Sequence, residues 1–331
     1  MSLLPVNRVH SLLLVTALAA ALQGCDKPAE SPEQAAAANS ASTTSAYEPV
    51  SVTHQLGTTV IKQIPQRVVA FDMGEIDTLD QLGAPVVGIA KDYVADFLSK
   101  YKDDPNVADV GATVQPNLEK LHAVKPDLIL ISALQAKDYE EMSQLAPTVH
   151  FDMDFSNKNG DILTQAKEHL LTLGRIFDKD DLAREKVAQM DAKIQQVRSV
   201  TEGRPEKALI VQHNNGSFTS YGVASRYGYL FDTLGVKPAD TDKSPSLHGQ
   251  SISNEFIQQT DPDILYVIDR TAVMERRPAL NRETLENPLL RETKAWKNNR
   301  VVFVDSQTWY LCTASFTCLN RIADEVIQGY Q

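Results

Sequence analysis

A chain of 331 residues with a formal net charge of −11 is a poor nucleic-acid partner, because 43 acidic side chains face 32 basic ones. At 43% hydrophobic residues it has ordinary material for a core, and an anionic ligand would need a local cluster of Arg or Lys set against the global field. Beyond its N-terminal segment roughly 280 residues remain, enough for two domains.

Arg8 and His10 precede the apolar run Leu12 to Leu22, which is too short to span a bilayer as a mature helix. The run ends in Leu22-Gln23-Gly24-Cys25, which resembles a bacterial lipobox, although Gln23 is an unusual occupant of its position. The resemblance implies cleavage after residue 24 and lipidation of Cys25; the competing reading is a plain secretory signal with an incidental Cys. Asp26 resembles the signal that retains Gram-negative lipoproteins in the inner membrane. Residues 25–46 read as a flexible tether, rich in Ala, Ser, Pro and Glu and nearly free of large apolar side chains. The globular part starts near Tyr47, and no later apolar run approaches membrane-spanning length.

Val50 to His54 and Thr58 to Lys62 alternate around Leu56-Gly57, the pattern of a β-hairpin. Arg67 to Phe71 is a buried strand, followed by a helix near Glu75 to Leu82 and a strand at Val86 to Ala90. Lys91 to Gln115 is loop-rich with one helical patch around Val94 to Tyr101. Asp161 to Phe177 is a helix, and Asp178-Lys179-Asp180 offers an N-cap for a longer one, whose Leu182, Val187, Met190, Ile194 and Val197 keep helical spacing to about Val200. Gly203 and Pro205 stop it. A strand at Lys207 to Gln212 leads to the turn Asn214-Asn215-Gly216, then a helix from about Arg226 to Leu234 and a loop over 237–251. A strand at Val301 to Val304 and a helix near Ala314 to Gln328 close the chain.

One unit occurs twice. Leu118-Glu119-Lys120-Leu121 leads through Pro126-Asp127 into Leu128-Ile129-Leu130-Ile131-Ser132. Asn254-Glu255-Phe256-Ile257 leads through Pro262-Asp263 into Ile264-Leu265-Tyr266-Val267-Ile268-Asp269. Each is a short amphipathic helix, a Pro-Asp break and a buried strand. Leu82-Gly83 and Leu234-Gly235 add a second shared landmark, and the strands at Thr148 to Asp152 and Val301 to Asp305 a third. The later copy carries an insertion around Arg276 to Asn281. The expected fold is α/β: two similar Rossmann-like lobes over 47–178 and 204–331, joined by one long helix at 179–203, with a cleft for a small ligand.

Two Cys remain if Cys25 is lipidated. In an oxidising compartment Cys312 and Cys318 read as a disulfide; a metal pair is the rival, but the spacing, with no His beside it, is poor for zinc.

Several segments together resemble a known family. Thr53-His54-Gln55-Leu56-Gly57-Thr58 and Ile64-Pro65-Gln66-Arg67-Val68-Val69 look like the start of class III periplasmic binding proteins, which serve ABC importers of ferric siderophores, haem and cobalamin. Ser225-Arg226-Tyr227-Gly228, His248-Gly249-Gln250-Ser251, Val267-Ile268-Asp269-Arg270 and Trp309-Tyr310-Leu311 are most similar to the ferric-catecholate binding lipoproteins of that family. The resemblance implies two α/β lobes, a shallow cleft, an inner-membrane ABC permease as partner and no enzymatic activity. It implies that His248 and Tyr310 close the iron coordination sphere and that Arg226 and Arg270 face catecholate oxygens. Gln115 and Lys137 are further candidate ligand contacts. The chemistry agrees: ferric iron favours anionic oxygen and accepts imidazole, a tetradentate catecholate leaves two coordination positions open, and rigid guanidinium forks suit an anionic chelate. Iron enters as part of the ligand, with no intrinsic cofactor expected.

Each candidate has a plainer reading. A His beside Gly in a polar loop is usually just exposed, and Tyr310 beside Trp309 would more often be a packed aromatic at a strand end. His213 also follows a strand and competes with His248. The family's catecholate binders often carry a further arginine where this chain has Leu134; Lys137, Arg276 or Arg277 would be its substitutes. Glu75 and Glu206 or Glu255 are candidate permease-docking acids. The nearest functional rival is a haem or cobalamin carrier of the same fold. An α/β enzyme lacks support, since there is no Gly-x-Gly-x-x-Gly, P-loop or Gly-x-Ser-x-Gly. The dispersed seven His do not suit a zinc carrier.

Overall fold

The protein is described by a computed structural model covering residues 47–155, 161–242, 244–312 and 314–331. The signal segment, the tether and Cys25 lie outside the described residues. In the first half the strands are β1 Val50–His54, β2 Gly57–Ile61, β3 Val68–Ala70, β4 Val86–Ile89, β5 Ala108–Asp109, β6 Gly111–Ala112, β7 Gln115–Pro116, β8 Leu128–Ile131 and β9 Thr148–His150. The helices are α1 Met73–Gln81, α2 Ser99–Asp103, α3 Leu118–Val124, α4 Tyr139–Leu145 and α5 Ile162–Ile176, with α6 Asp180–Thr201 following. The second half contains β10 Lys207–Asn214, β11 Ser217–Tyr221, β12 Lys237–Pro238, β13 Gln250–Ile252, β14 Ile264–Asp269 and β15 Val301–Phe303. Its helices are α7 Gly228–Asp232, α8 Asn254–Thr260, α9 Arg270–Glu275, α10 Arg282–Leu285, α11 Pro288–Arg291, α12 Lys294–Lys297, α13 Ser306–Leu311 and α14 Phe316–Gln328.

Two sheets organise these elements into two α/β lobes. The first is all parallel, in the order β5-β4-β3-β8-β9. The second runs β13-β11-β10-β14-β15, parallel on its β10-β14-β15 side and antiparallel where β11 and β13 extend it, with β12 also on β10. Every residue of β8 and of β14 is buried, as the unbroken apolar runs predict for strands covered on both faces.

The repeated Pro-Asp unit has one physical job in both lobes. Helices α3 and α8 each end on a residue in the left-handed region, Lys125 at φ 51° and Asp261 at φ 44°. The Pro then blocks further helix and the Asp turns back on the neighbouring strand. Asp127 donates its backbone N–H to the Arg67 carbonyl (2.9 Å) while its carboxylate accepts the N–H groups of Gln66 and Arg67, both at 2.8 Å. Asp263 does the same at the start of β10: its N–H reaches the Lys207 carbonyl (2.8 Å) and its carboxylate accepts the Lys207 N–H (2.9 Å). Each Asp therefore starts the register between the central strand pairs β3/β8 and β10/β14.

The long helix α6 packs against α5 and against α14, and α14 packs in turn on α1 of the first lobe. At that junction the buried Asp77 carboxylate accepts hydrogen bonds from Ser315 Oγ (2.5 Å), Thr317 N (2.8 Å) and Thr317 Oγ1 (2.5 Å). Burial raises the Asp77 pKa despite these donors. A disulfide between Cys312 and Cys318 closes the loop between α13 and α14 beside Ser315.

Some elements differ from the sequence reading. A further strand, β11, pairs with β10 through the Asn215-Gly216 turn, and its Ser-Phe-Thr-Ser-Tyr sequence carries too little apolar alternation to mark it. The helix expected from Arg226 is only Gly228–Asp232, which leaves Arg226 in the loop before it. The region 91–115 holds the short strands β5, β6 and β7 as well as the expected helical patch.

Candidate functional site

The C-terminal ends of β10 and β14 carry the chemistry, as strand ends do in parallel α/β sheets. Asp269 ends β14 and organises its surroundings. It donates its N–H to Ser306 Oγ (2.7 Å), caps α9 through the Ala272 N–H (3.2 Å), and accepts the Leu280 N–H from the insertion (2.8 Å). His213 is consumed by the same framework. Its Nε2 accepts the Gly216 N–H (2.9 Å), which leaves the proton on Nδ1, 3.4 Å from Asp269 Oδ1. It serves the turn that follows β10 and presents neither ring nitrogen to a ligand.

Arg270 is the first residue of α9, so this framework aims it. Its Nε donates to Tyr310 Oη (2.9 Å) and its Nη1 to Asn214 Oδ1 (3.1 Å). Arg226 donates from Nη2 to the Tyr310 carbonyl (3.2 Å). The two guanidinium carbons lie 5.4 Å (Arg270) and 6.0 Å (Arg226) from the Tyr310 ring centroid, within cation–π range. Three segments remote in sequence thus place two cations around one partly exposed phenol. Tyr310 is on helix α13, not at a strand end as its plainer reading had it: β15 stops at Phe303, and Asp305 caps α13 through the Gln307 and Thr308 N–H groups. Its neighbour Trp309 is the packed aromatic, fully buried, with Nε1 donating to Glu325 (2.6 Å). The Tyr227 hydroxyl donates to the Trp309 carbonyl (2.7 Å), and burial drives the Tyr227 pKa far up, so this phenol stays neutral while it supports the site.

A cleft of about 310 Å³ lies against α9 and α13, the helices that carry Arg270 and Tyr310, and is lined from one lobe by Asp92, Tyr93 and Lys102 and from the other by Arg276, Gln307 and Leu311. Two hydrogen bonds cross between the lobes here: Arg276 Nη2 to the Asp92 carbonyl (2.6 Å), and the Asp96 N–H to Gln307 Oε1 (2.9 Å). Neither Asn214 nor Gln307 was a sequence candidate; position after a strand was the only available signal for Asn214, and Gln307 had none.

Other candidates lie apart from the Arg226–Tyr310–Arg270 cluster. His248 is exposed in the loop entering β13, next to Gly249, whose φ of 75° and close approach to Ser220 and Thr219 leave no room for a side chain. Gln115 and Lys137 are exposed on the first lobe. Among the described residues no hydrogen bond or ring contact joins these three to the cluster. Glu75 is 3% exposed and paired with His169 at 2.9 Å, so it cannot be a docking acid. Glu206 is held by Arg204 and Arg300, and the Arg204 hydrogen bond is the main reason its pKa falls to about 2. Only Glu255 of those three acids is exposed.

Two α/β lobes, one long linking helix and a cleft at the strand ends are the architecture of class III periplasmic binding proteins. The chain belongs to the periplasmic binding protein family, whose profile matches residues 68–308. It is 57% identical over 283 residues to the ferric-anguibactin-binding protein FatB of Vibrio anguillarum, covering 86% of this chain and 88% of that one. It is 39% identical over 290 residues to the petrobactin-binding protein YclQ of Bacillus subtilis, covering 86% and 89%. The solved structure of the siderophore binding protein BauB, bound to a complex between two molecules of acinetobactin and ferric iron, matches with TM-score 0.81 at 54% identity, covering 86% of this chain and 99% of that one.

Proposed function

We propose that this protein captures a ferric siderophore outside the cytoplasm and delivers it to an ABC importer. The observation that carries the reading is the Arg226–Tyr310–Arg270 cluster: two guanidinium groups around a phenol, beside a cleft, in a chain of net charge −11. Guanidinium donors are matched to the anionic oxygens of a ferric catecholate and supply the charge that the rest of the surface repels. In this reading Tyr310 and His248 complete the coordination of a tetradentate catecholate, and Gln115 and Lys137 are the polar groups offered by the opposite lobe. The relatives are named as binding proteins, in keeping with a non-enzymatic role.

A second coordination reading has support in the separation of His248 from the cluster and in the ligand of BauB, which has two siderophore molecules on one iron. There the chelators fill the sphere, and Tyr310 and the arginines only hydrogen-bond to them. Absorption spectra separate the two. Direct coordination gives a phenolate-to-iron charge-transfer contribution that Tyr310→Phe removes; the alternative predicts an unchanged spectrum with weakened binding. Quenching of Trp296 and Trp309 fluorescence by ferric bis-catecholate, with haem as the competitor ligand, tests the function itself. Haem binding without chelate binding would replace this reading by a haem carrier.

Cys25 is proposed as the lipidated N-terminus and Asp26 as the inner-membrane retention signal. Mass spectrometry should find an acylated Cys25, and Cys25→Ala should abolish detergent partitioning.

A further inference from the structure

We propose that the first lobe meets the ligand through an apolar lip, Val114 and Leu134, which favours ferric complexes that turn an uncharged aromatic or heterocyclic ring toward this lobe. The inference rests on the ferric-siderophore reading and narrows its ligand class.

Val114 and Leu134, at 62% and 54%, are the most exposed large apolar side chains among the described residues. They come from separate loops, and a buried amide ties those two loops together. Leu134 lies in a short 3-10 helix, Ala133–Asp138, that follows β8 and is capped by Ser132 and Gln135. Gln135 is fully buried; its Oε1 accepts the Ser132 N–H (3.0 Å) and its Nε2 donates to the Thr113 carbonyl (2.5 Å). Thr113 precedes Val114, and Gln135 follows Leu134, so the bonded pair carries one apolar side chain on each partner. Thr113 also donates from N and Oγ1 to the Asp92 carboxylate, the Oγ1 bond being 2.8 Å. Asp92 lines the cleft, and its carbonyl accepts the Arg276 guanidinium from the other lobe. A continuous hydrogen-bonded path therefore runs from the lip to the cleft wall and across it.

This construction holds two aliphatic side chains in water without using them in the core. Exposed apolar surface, held one hydrogen bond from a residue of the cleft wall, is stabilised when a ligand covers it. The two lobes also differ in character. The second presents Arg226, Arg270 and Arg276 toward the site, which match anionic oxygens. A lip of Val and Leu offers no donor to such oxygens, and burying one there unpaired is costly. The complementary ligand turns most of its charged oxygens toward the second lobe, with Gln115 and Lys137 of the first meeting the remainder, and lays a neutral ring on the lip itself.

The test uses the mature chain, tryptophan quenching, and three ferric complexes: a bis-catecholate, the same chelate bearing a pendant phenyl ring, and a tris-catecholate. The wild type should prefer the phenyl-bearing complex by about tenfold, the scale expected when one partly exposed aliphatic side chain is covered. Leu134→Ala and Val114→Ala should each erase most of that preference, lowering affinity for the phenyl-bearing complex by more than for the bare bis-catecholate. Leu134→Arg should shift selectivity toward the tris-catecholate. Because both side chains are exposed, Tm should stay at its wild-type value in all three variants. Wild-type binding of the chelates without a phenyl preference, or a preference that survives Leu134→Ala, overturns the lip and leaves the siderophore reading standing. Loss of import with unaltered affinities overturns it too, and makes the lip a permease contact. Failure of the wild type to bind any of the three chelates removes both readings.

Discussion

At the scale of single residues, geometry sorts candidates that sequence could only nominate. Arg226, Arg270 and Tyr310 were readable because each stands in a short family-like motif, and the structure brings them together. His213 had the same claim by position after a strand, but its ring is spent on Gly216 and Asp269. Glu75 looked like an available acid; its partner His169 is 94 positions away, a pairing no local pattern reveals. Arg270 gives the sharpest test. Its Nε and Nη1 engage two partners at once, Tyr310 and Asn214, which an ammonium cannot reproduce. Arg270→Lys should weaken ferric-chelate binding by about tenfold and Arg270→Ala by more, in a fluorescence titration, with salt reducing the gap. Equal affinities for wild type and the Lys variant would show that only charge matters at this position.

At the scale of elements, the Pro-Asp unit was legible because its work is local: a helix stop, then a carboxylate facing the next strand's N–H groups. Strand β11 and helix α13 were not, since β11 depends on pairing with β10 and α13 on the Asp305 cap and the packing of Trp309. The two copies also differ in a way that can be measured. Asp127 accepts two backbone N–H groups of the neighbouring strand and Asp263 accepts one. Charge-assisted hydrogen bonds to backbone contribute roughly 1–2 kcal/mol each. Asp127→Ala should therefore destabilise by about 3 kcal/mol and Asp263→Ala by about half that, read as denaturation midpoints at constant m-value. The reverse order would mean the two lobes do not share this device on equal terms. Reduction of the Cys312–Cys318 bridge should cost about 2 kcal/mol on the chain-entropy account, because the loop it closes is short.

At the scale of the whole molecule, helix α1 gathers buried ionisable groups where the lobes meet, and its cap Asp72, set against His54 of β1 and His150 of β9, makes stability depend on pH with opposing signs. Asp72 caps α1 by accepting the Gly74 N–H (2.8 Å) and the Glu75 N–H (3.3 Å). Burial, and then the nearby Glu75 carboxylate, raise its pKa to about 6; the two backbone donors and His169 oppose them. The folded chain thus binds a proton that the unfolded chain, with a carboxyl near 3.8, has released. The stability from this group is fully present below about 3.8 and is lost as pH rises through about 6. His54 and His150 act the other way. Burial lowers both pKa values, so their contribution is present above the ordinary histidine value of 6.5 and is lost as pH falls through their depressed folded values. Wild type should therefore show a flattened stability profile below about pH 6, where the Asp72 effect, rising from about 3.8, meets the histidine effect on its way down from 6.5. Asp72→Asn separates them. Asn keeps the capping oxygen and stays neutral, so it removes the cost of a buried charge without removing the cap. That cost is at most about 3 kcal/mol, from a shift of roughly two pKa units, and less because Asp72 keeps some contact with solvent. The variant should melt several degrees above wild type at about pH 7.5, at ~2–4 °C per kcal/mol, and the gap should close by about pH 3, below both pKa values, where both states carry the proton. A gap that is the same at both pH values would mean that Asp72 titrates alike in the folded and unfolded chains, and that α1 tolerates its charge at the lobe junction.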